Sequence, residues 1–239
     1  WQCFSASNQA CCGKKAEAYL KAHLASFQVD FANIIEYGMP NISLGPNYGT
    51  IMAKQRGKDV TMLAYNTSKW VPTSDIISMC LEADDRAAVA QVFTLLEDSR
   101  VQVVVIGAHF GHSTNLSFGL SVLRKAIEVN KLASMNVVLL ADTNIEKGGL
   151  SPSDMFGDMG LRAAHFTPSD FLTCCYEDVG KVPLVHTYDK IITNFGSDMH
   201  ATLLDDAGSY FKTPTACAIT EMHRPVHATL YYITDFPNA

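Results

Sequence analysis

The sequence lacks several features that would place it at once in a familiar class of protein. It contains no apolar run of about 18 residues, so it predicts no membrane-spanning helix. It has no excess of positive charge, because its 239 residues carry a formal net charge of −6. A uniformly basic nucleic-acid-binding protein is therefore excluded, although a local basic cleft or a bound cation would still accommodate phosphate.

The seven cysteines also fail to form a recognisable pattern. Their number is odd, two pairs are adjacent, and no spacing is typical of a zinc site or of a disulfide framework. The pair Cys174-Cys175 is interpreted as two small buried apolar residues. The sequence has no internal repeats and is 48% hydrophobic, enough for one substantial core. We therefore predict a single domain over residues 1–239.

Two features bear on the cellular compartment. The chain begins at Trp1 and not at Met, which suggests that an upstream piece is missing, either a removed leader or a truncation. It also carries N-x-S/T sequons at Asn41, Asn66 and Asn115. Together they mildly favour a secreted or organellar protein.

What is present predicts a layered α/β fold. A strand, a helix and a second strand are predicted over 1–7, 11–24 and 29–35. Strongly apolar strands at 101–106 and 137–144 flank an amphipathic helix over 116–132. Shorter strands are predicted at 50–53, 60–65, 76–81, 188–193 and 228–233. The stretch 87–96 fits a strand, which we prefer, or a helix, and 151–178 is predicted as loops because Pro and Gly interrupt it.

Polar residues stand where these apolar strands end. Asp142 and Asn144 end the strand 137–144, and residues two apart in a strand point to the same side. The remaining members of this set are Asn8, Glu36, His109, Asp189 and His223. Strand ends gathered at one edge of a sheet form a pocket from residues distant in sequence. Carboxylates that bind a hard cation or deprotonate water, together with imidazoles, suit the hydrolysis of phosphate esters.

The ordered set resembles the endonuclease/exonuclease/phosphatase superfamily, the group of deoxyribonuclease I. Ala32-Asn-Ile-Ile-Glu-Tyr37 resembles its "D-I-x-x-x-Q-E" motif, and Val104-Val-Ile-Gly-Ala-His109 resembles "v-n-t-H". Leu140-Ala-Asp-Thr-Asn144 is similar to "G-D-F-N", and Tyr188-Asp-Lys-Ile-Ile192 to "x-D-y-I". Glu221-Met-His-Arg-Pro-Val226 is similar to "S-D-H-x-P-V". The five motifs occur in the family's order and span nearly the whole chain.

The resemblance implies a fold and a set of roles. The expected fold is a four-layer α/β sandwich, in which two packed mixed β-sheets are flanked by helices. Glu36 would hold Mg²⁺ or Mn²⁺, assisted by Asn8, with Gln2 the competing assignment. Asp142 would orient or deprotonate the attacking water, and Asn144 would hold a phosphate oxygen.

The two histidines would have separate roles. His223, oriented by Asp189, would contact the scissile phosphate. His109 would be a second phosphate-facing imidazole or the acid that protonates the leaving group.

Two positions depart from the family pattern. Ile35 stands where the family usually has Gln, and Met222 stands in place of Asp, with Glu221 one residue earlier. A thioether is a poor ligand for a hard cation.

The motif set as a whole predicts a metal-dependent phosphodiesterase, with a nuclease as the first choice. A catalytically impaired binding subunit and a hydrolase of small or lipid phosphate esters are the alternatives.

Overall fold

The computed structural model describes residues 13–37, 42–53, 60–82, 86–112, 116–145, 149–168, 170–174, 186–196, 198–203, 223 and 225–231. The strand predicted over 1–7, with Gln2 and Asn8, lies outside these residues, as do Glu221 and Met222.

The larger sheet forms the centre of the molecule. Its strands are β4 (Trp70–Pro72), β5 (Ile77–Glu82), β6 (Arg86–Leu95), β7 (Gln102–His109), β8 (Asn136–Asp142), β9 (His165–Phe166) and β10 (Asp189–Thr193). The order is β4-β6-β7-β8-β10-β9, with β5 also paired to β6. The pair β7 and β8 is parallel, because the helix α2 (Leu116–Val129) connects the two strands, and the other described pairs are antiparallel.

A smaller sheet packs face to face on this one. It contains β1 (Phe31–Tyr37), β2 (Tyr48–Met52) and β3 (Val60–Asn66) in the antiparallel order β1-β3-β2. Leu63 of this sheet and Val89, Phe93 and Val105 of the larger one are buried between the two. Two further strands, β11 (Asp198–Leu203) and β12 (Val226–Tyr231), form an antiparallel pair.

Helices cover the outer faces of both sheets. The helix α1 (Lys14–Phe27) packs Ala16 and Leu24, eight residues apart on one face, against Ile34 and Met62 of the smaller sheet. The helix α2 and the short helix α3 (Pro152–Asp158) cover the far face of the larger sheet, with Leu120, Leu123 and Ile127 of α2 in the core. The predicted four-layer sandwich is therefore confirmed. No helix among the described residues is long and apolar enough to cross a membrane.

The sequence prediction was wrong in 151–178, where α3 and β9 form. Ser151 caps α3, its Oγ accepting the Asp154 N–H at 3.1 Å, and Pro152 occupies the first turn. Proline is compatible with a first turn because its missing N–H would have no partner there. The stretch 87–96 is a strand, as preferred, because it lies at the centre of the larger sheet and eight of the ten residues of β6 are buried.

Candidate active site

Four charged or titratable side chains lie in a row across neighbouring strands of the larger sheet. The parallel register of β7 and β8 pairs His109 with Asp142, and the antiparallel register of β8 and β10 pairs Asp142 with Asp189. Arg86 opens β6, which runs antiparallel to β7 and so begins beside the end of that strand. Strand order thus assembles residues from four separate parts of the sequence at one edge.

His223 joins this row through the two aspartates. Its Nδ1 lies 2.8 Å from Oδ2 of Asp189 and 3.7 Å from Oδ2 of Asp142. The Asp142 side chain is almost fully buried, and that of His223 is 15% exposed. The carboxylate–imidazole pair predicted from the sequence is therefore present, with Nδ1 as the ring nitrogen that donates to Asp189.

Burial and mutual charge shift the titration of all three groups. Burial favours the neutral imidazole of His223, but Asp189 and Asp142 outweigh it and raise the pKa of His223 to about 9. Burial raises the pKa of Asp142 to about 6, and the charge of His223 opposes this increase. The pKa of Asp189 is lowered, because the charge and hydrogen bond of His223 overcome the cost of burial. At neutral pH the site therefore holds a histidine cation between two carboxylates.

His109 behaves differently from His223. Burial, and then the charge of Arg86, hold the pKa of His109 well below its usual range. Arg86 Nη1 lies 2.8 Å from Nδ1 and 2.6 Å from Nε2 of this ring, and the guanidinium can only donate. A ring nitrogen of His109 must therefore accept, which requires the neutral imidazole. This favours the phosphate-facing role over the leaving-group acid, because a neutral ring of low pKa is a poor proton donor.

Glu36 enters from the smaller sheet. Its carboxylate lies 3.8 Å from Nη1 of Arg86 and contributes to raising the pKa of Asp142, so it belongs to the same cluster. The backbone of Glu36 has φ of 54°, and the pairing of β1 with β3 is irregular between Ile34 and Tyr37. Left-handed backbone in a non-glycine residue is unfavourable and often marks a functional site.

Asn144 reaches the site by a turn and not along a strand. The strand β8 ends at Asp142, and Asn144 has φ of 49°, a conformation that asparagine tolerates. Its backbone N–H donates to Asp142 Oδ1 at 2.9 Å, and its Nδ2 donates to the Phe110 carbonyl at 2.7 Å. Asn144 therefore orients the Asp142 carboxylate and holds the segment after His109.

Sequence reasoning missed three residues that build the site. Arg86 begins an apolar strand and does not follow one, so the search for polar residues after strands did not identify it. Asn33 Nδ2 donates to the carbonyls of Ala108, at 3.1 Å, and Leu140, at 2.8 Å, which joins β1 to β7 and β8. Thr173, fully buried, accepts the backbone N–H of Asp189 at 3.0 Å through Oγ1. An Asn inside an otherwise apolar strand motif was the one available signal, at position 33.

Cys174, next to Thr173, is buried as predicted but is also disulfide-bonded. Its partner lies outside the described residues. The exposed side chain of His112 agrees with the surface position expected for it, although its ring lies 6.4 Å from that of Tyr188, which is itself 6.4 Å from that of His223.

The donor atoms suit a hard divalent cation. Asp142 and Asp189 each offer a carboxylate oxygen, and these oxygens and a ring nitrogen of His223 lie within 4.8 Å of one another. Glu36 lies near enough for its charge to raise the pKa of Asp142. Carboxylate oxygens are the ligands that such cations prefer. Burial is the main cause of the raised pKa of Asp142, and the negative charges of Asp189 and Glu36 add to it, a charge that a cation would offset.

Solved structures share this architecture. The mannosyl-6-phosphatase of Bacteroides thetaiotaomicron superposes with a TM-score of 0.68 at 12% identity, covering 92% of this chain and 91% of that one. An endonuclease/exonuclease/phosphatase family protein from the same organism gives 0.67 at 10% identity, covering 92% and 90%. TDP2 of D. rerio, complexed with a single-strand DNA product, gives 0.59 at 15% identity, covering 89% and 90%.

The sequence alone matches no family model and no curated protein. The likeness therefore lies in the three-dimensional arrangement, which extends over about nine-tenths of each compared chain. The chain has the DNase I-like fold of the endonuclease/exonuclease/phosphatase proteins.

Proposed function

We propose that this protein is a divalent-metal-dependent phosphoesterase that hydrolyses phosphodiester bonds, with nucleic acid as the first substrate class. The observation that carries the proposal is the row Arg86, His109, Asp142 and Asp189 with His223 bound to its end. Burying a set of opposite charges destabilises a fold, and apolar residues would pack in the same space equally well. The carboxylate, imidazole and guanidinium groups of this set are those needed to transfer a proton and to stabilise a phosphoryl group.

Asp142 orients and deprotonates the attacking water. Its pKa of about 6 leaves the carboxylate ionised at neutral pH while keeping it basic enough to accept a proton. The Asn144 backbone N–H binds the other carboxylate oxygen, so that Oδ2 is the atom directed toward the imidazoles. Asp142 thus has the position and the pKa of a general base.

His223, Arg86 and His109 stabilise the phosphoryl oxygens. His223 carries positive charge at neutral pH, and Asp189 fixes its ring through Nδ1. Arg86 contributes a second cation beside His109, and the neutral ring of His109 adds a polar group at the same edge. Fixed charges in a buried site stabilise a phosphoryl transition state strongly, because little reorganisation is needed.

Glu36 would hold the cation, with Asn8 the predicted second ligand and Asp142 and Asp189 adjoining. When bound, Mg²⁺ or Mn²⁺ supplies positive charge that polarises the phosphoryl group. The carboxylates also position this charge next to the water that Asp142 orients. The intact buried cluster weighs against the impaired alternative raised by Met222.

A small phosphate ester is the second candidate substrate. The net charge of −6 offers no general attraction for a polyanion, and one solved structure of the same fold is a mannosyl-6-phosphatase. The similar structure of D. rerio TDP2, which is complexed with a single-strand DNA product, favours nucleic acid as the substrate. Both substrates would use the same row of residues, so the assay must include both.

The experiment measures product release from plasmid DNA, a generic aryl phosphodiester and mannose 6-phosphate, each with Mg²⁺, Mn²⁺ or EDTA. We expect metal-dependent hydrolysis that falls on the order of 10²-fold or more in His223→Ala and in Asp142→Asn. His165→Gln, in a histidine that contacts the Gly196 carbonyl outside the site, is the control and should retain activity. Full activity in His223→Ala, or none in the wild type with any substrate and metal, would overturn the proposal.

A further inference from the structure

The segment 170–174 contains Thr173, a buried residue that has none of the catalytic roles proposed for the site. Thr173 and Cys174 are both fully buried, and they lie in a stretch without regular strand structure apart from one antiparallel bridge, which joins Cys174 to His186. The backbone N–H groups of Thr173, at 2.8 Å, and Cys174, at 3.0 Å, donate to the His186 carbonyl. Buried polar residues in irregular backbone require a reason.

The side chain of Thr173 contacts Asp189. Its Oγ1 accepts the Asp189 backbone N–H at 3.0 Å, and the same hydroxyl helps to hold the pKa of the Asp189 carboxyl below its usual range. A hydroxyl that accepts one hydrogen bond still has its own hydrogen to donate, so it can favour the charged form of a nearby carboxylate. Asp189 Oδ2 is in turn the acceptor for Nδ1 of His223, at 2.8 Å. The chain of contacts therefore runs from Thr173 through Asp189 to His223.

The other side of Asp189 is held by the backbone. Thr143, which follows the general base, donates its N–H, at 2.8 Å, and its Oγ1–H, at 2.7 Å, to the Tyr188 carbonyl. These two bonds fix the main chain just before Asp189. Among the described residues, two side chains hydrogen-bond Asp189 itself: His223, which binds the carboxylate, and Thr173, which binds the backbone N–H.

We propose that Thr173 is a positioning residue that holds Asp189 in the place from which its carboxylate binds His223, and that the disulfide of Cys174 keeps Thr173 in place. The catalytic consequence rests on the proposed function, but the positioning itself does not. The disulfide matters because it restrains the residue directly beside Thr173. Reduction by a dithiol transfers two electrons and two protons to the disulfide, giving two thiols and the oxidised reductant, and releases this restraint.

The direct test is NMR of the protein in water, without any substrate. The ring proton on Nδ1 of His223, in a short bond to a carboxylate, should give a downfield resonance that is absent in His223→Gln. Thr173→Val, which keeps the shape of the side chain and removes the hydroxyl, should shift or broaden this resonance. Thr173→Ser, which restores the hydroxyl, should recover it. An unchanged resonance in Thr173→Val would overturn the proposal.

Activity provides the second readout. Thr173→Val should lower kcat on the order of tenfold, as expected for a residue that orients a catalytic group, with KM little changed, and Thr173→Ser should recover kcat. Dithiol treatment should lower the wild-type value similarly and have no further effect on Thr173→Val, because both changes release the same contact. An additive effect would overturn the role given to the disulfide. If no variant hydrolyses any substrate, the proposed function fails while the NMR result still decides the positioning.

Discussion

The stability of the metal-free protein should fall as the pH rises from 6.5 to 9, because of His223. Its pKa is 6.5 in an unfolded chain and about 9 in the folded protein, where Asp189 and Asp142 surround it. The folded state therefore binds this proton more tightly, and the linked stability is fully present below pH 6.5 and is lost as the pH rises through 9. Each pH unit between the two values is worth about 1.4 kcal/mol, so the total is about 3 kcal/mol.

The upper part of this pH window separates His223 from the other histidines whose pKa values are shifted. The pKa values of His23, His109 and His227 are lowered, so these rings are neutral in the folded protein above pH 6.5. In the unfolded chain they lose their remaining protons by about pH 7.5, and above that pH they contribute no slope. The pKa of Asp142 is raised only to about 6, so its own contribution is lost before this window begins.

The assay is urea denaturation in EDTA at intervals from pH 6.5 to 9. The Asp189→Asn protein should lose most of the slope, because its amide cannot supply the charge that keeps His223 protonated. His165→Gln, in a histidine that contacts the Gly196 carbonyl away from the site, is the matched control and should follow the wild type. A wild-type stability that is constant or rises over this range would refute the electrostatic account of the pair.

Three further predictions concern the surroundings of the pair. Arg86→Lys should lower kcat at least tenfold, because a single ammonium on a flexible stem does not reproduce the rigid guanidinium that contacts His109. The same variant should keep the pH dependence of protein stability that His223 causes. Gly107→Ala should lower the free energy of unfolding by about 1–3 kcal/mol in urea denaturation, because the new Cβ would lie 2.6 Å from Oδ1 of Asn33. Two hydrogen bonds hold the Asn33 side chain in place, so an unchanged midpoint would show that this side chain moves freely. Millimolar Mg²⁺ or Mn²⁺ should raise the melting temperature of the wild type and raise it less in Glu36→Gln; equal shifts would remove Glu36 from the cation site.

The sequence determined the layered architecture because periodicity and strand length carry that information locally. The strands β7 and β8 are buried on both faces and are almost entirely apolar, and the helix between them repeats its apolar residues with helical spacing. Glu36, His109, Asp142, Asp189 and His223 were identified because polar residues at the ends of apolar runs are easy to recognise and because their motifs occur in the family's order. The helix α3 was missed because its proline was taken as an interruption and not as a first-turn residue.

Only the tertiary structure decided which of these residues touch and with what charge. Arg86 contacts His109 because of sheet order, and Thr173 contacts Asp189 from a disulfide-bonded segment. No local pattern encodes either relation. The opposite pKa shifts of His109 and His223 likewise follow from their neighbours, an arginine for one and two aspartates for the other. The sequence supplied two similar imidazoles. Burial and register made one neutral and the other a cation, because electrostatic energy depends on distances between residues far apart in the chain.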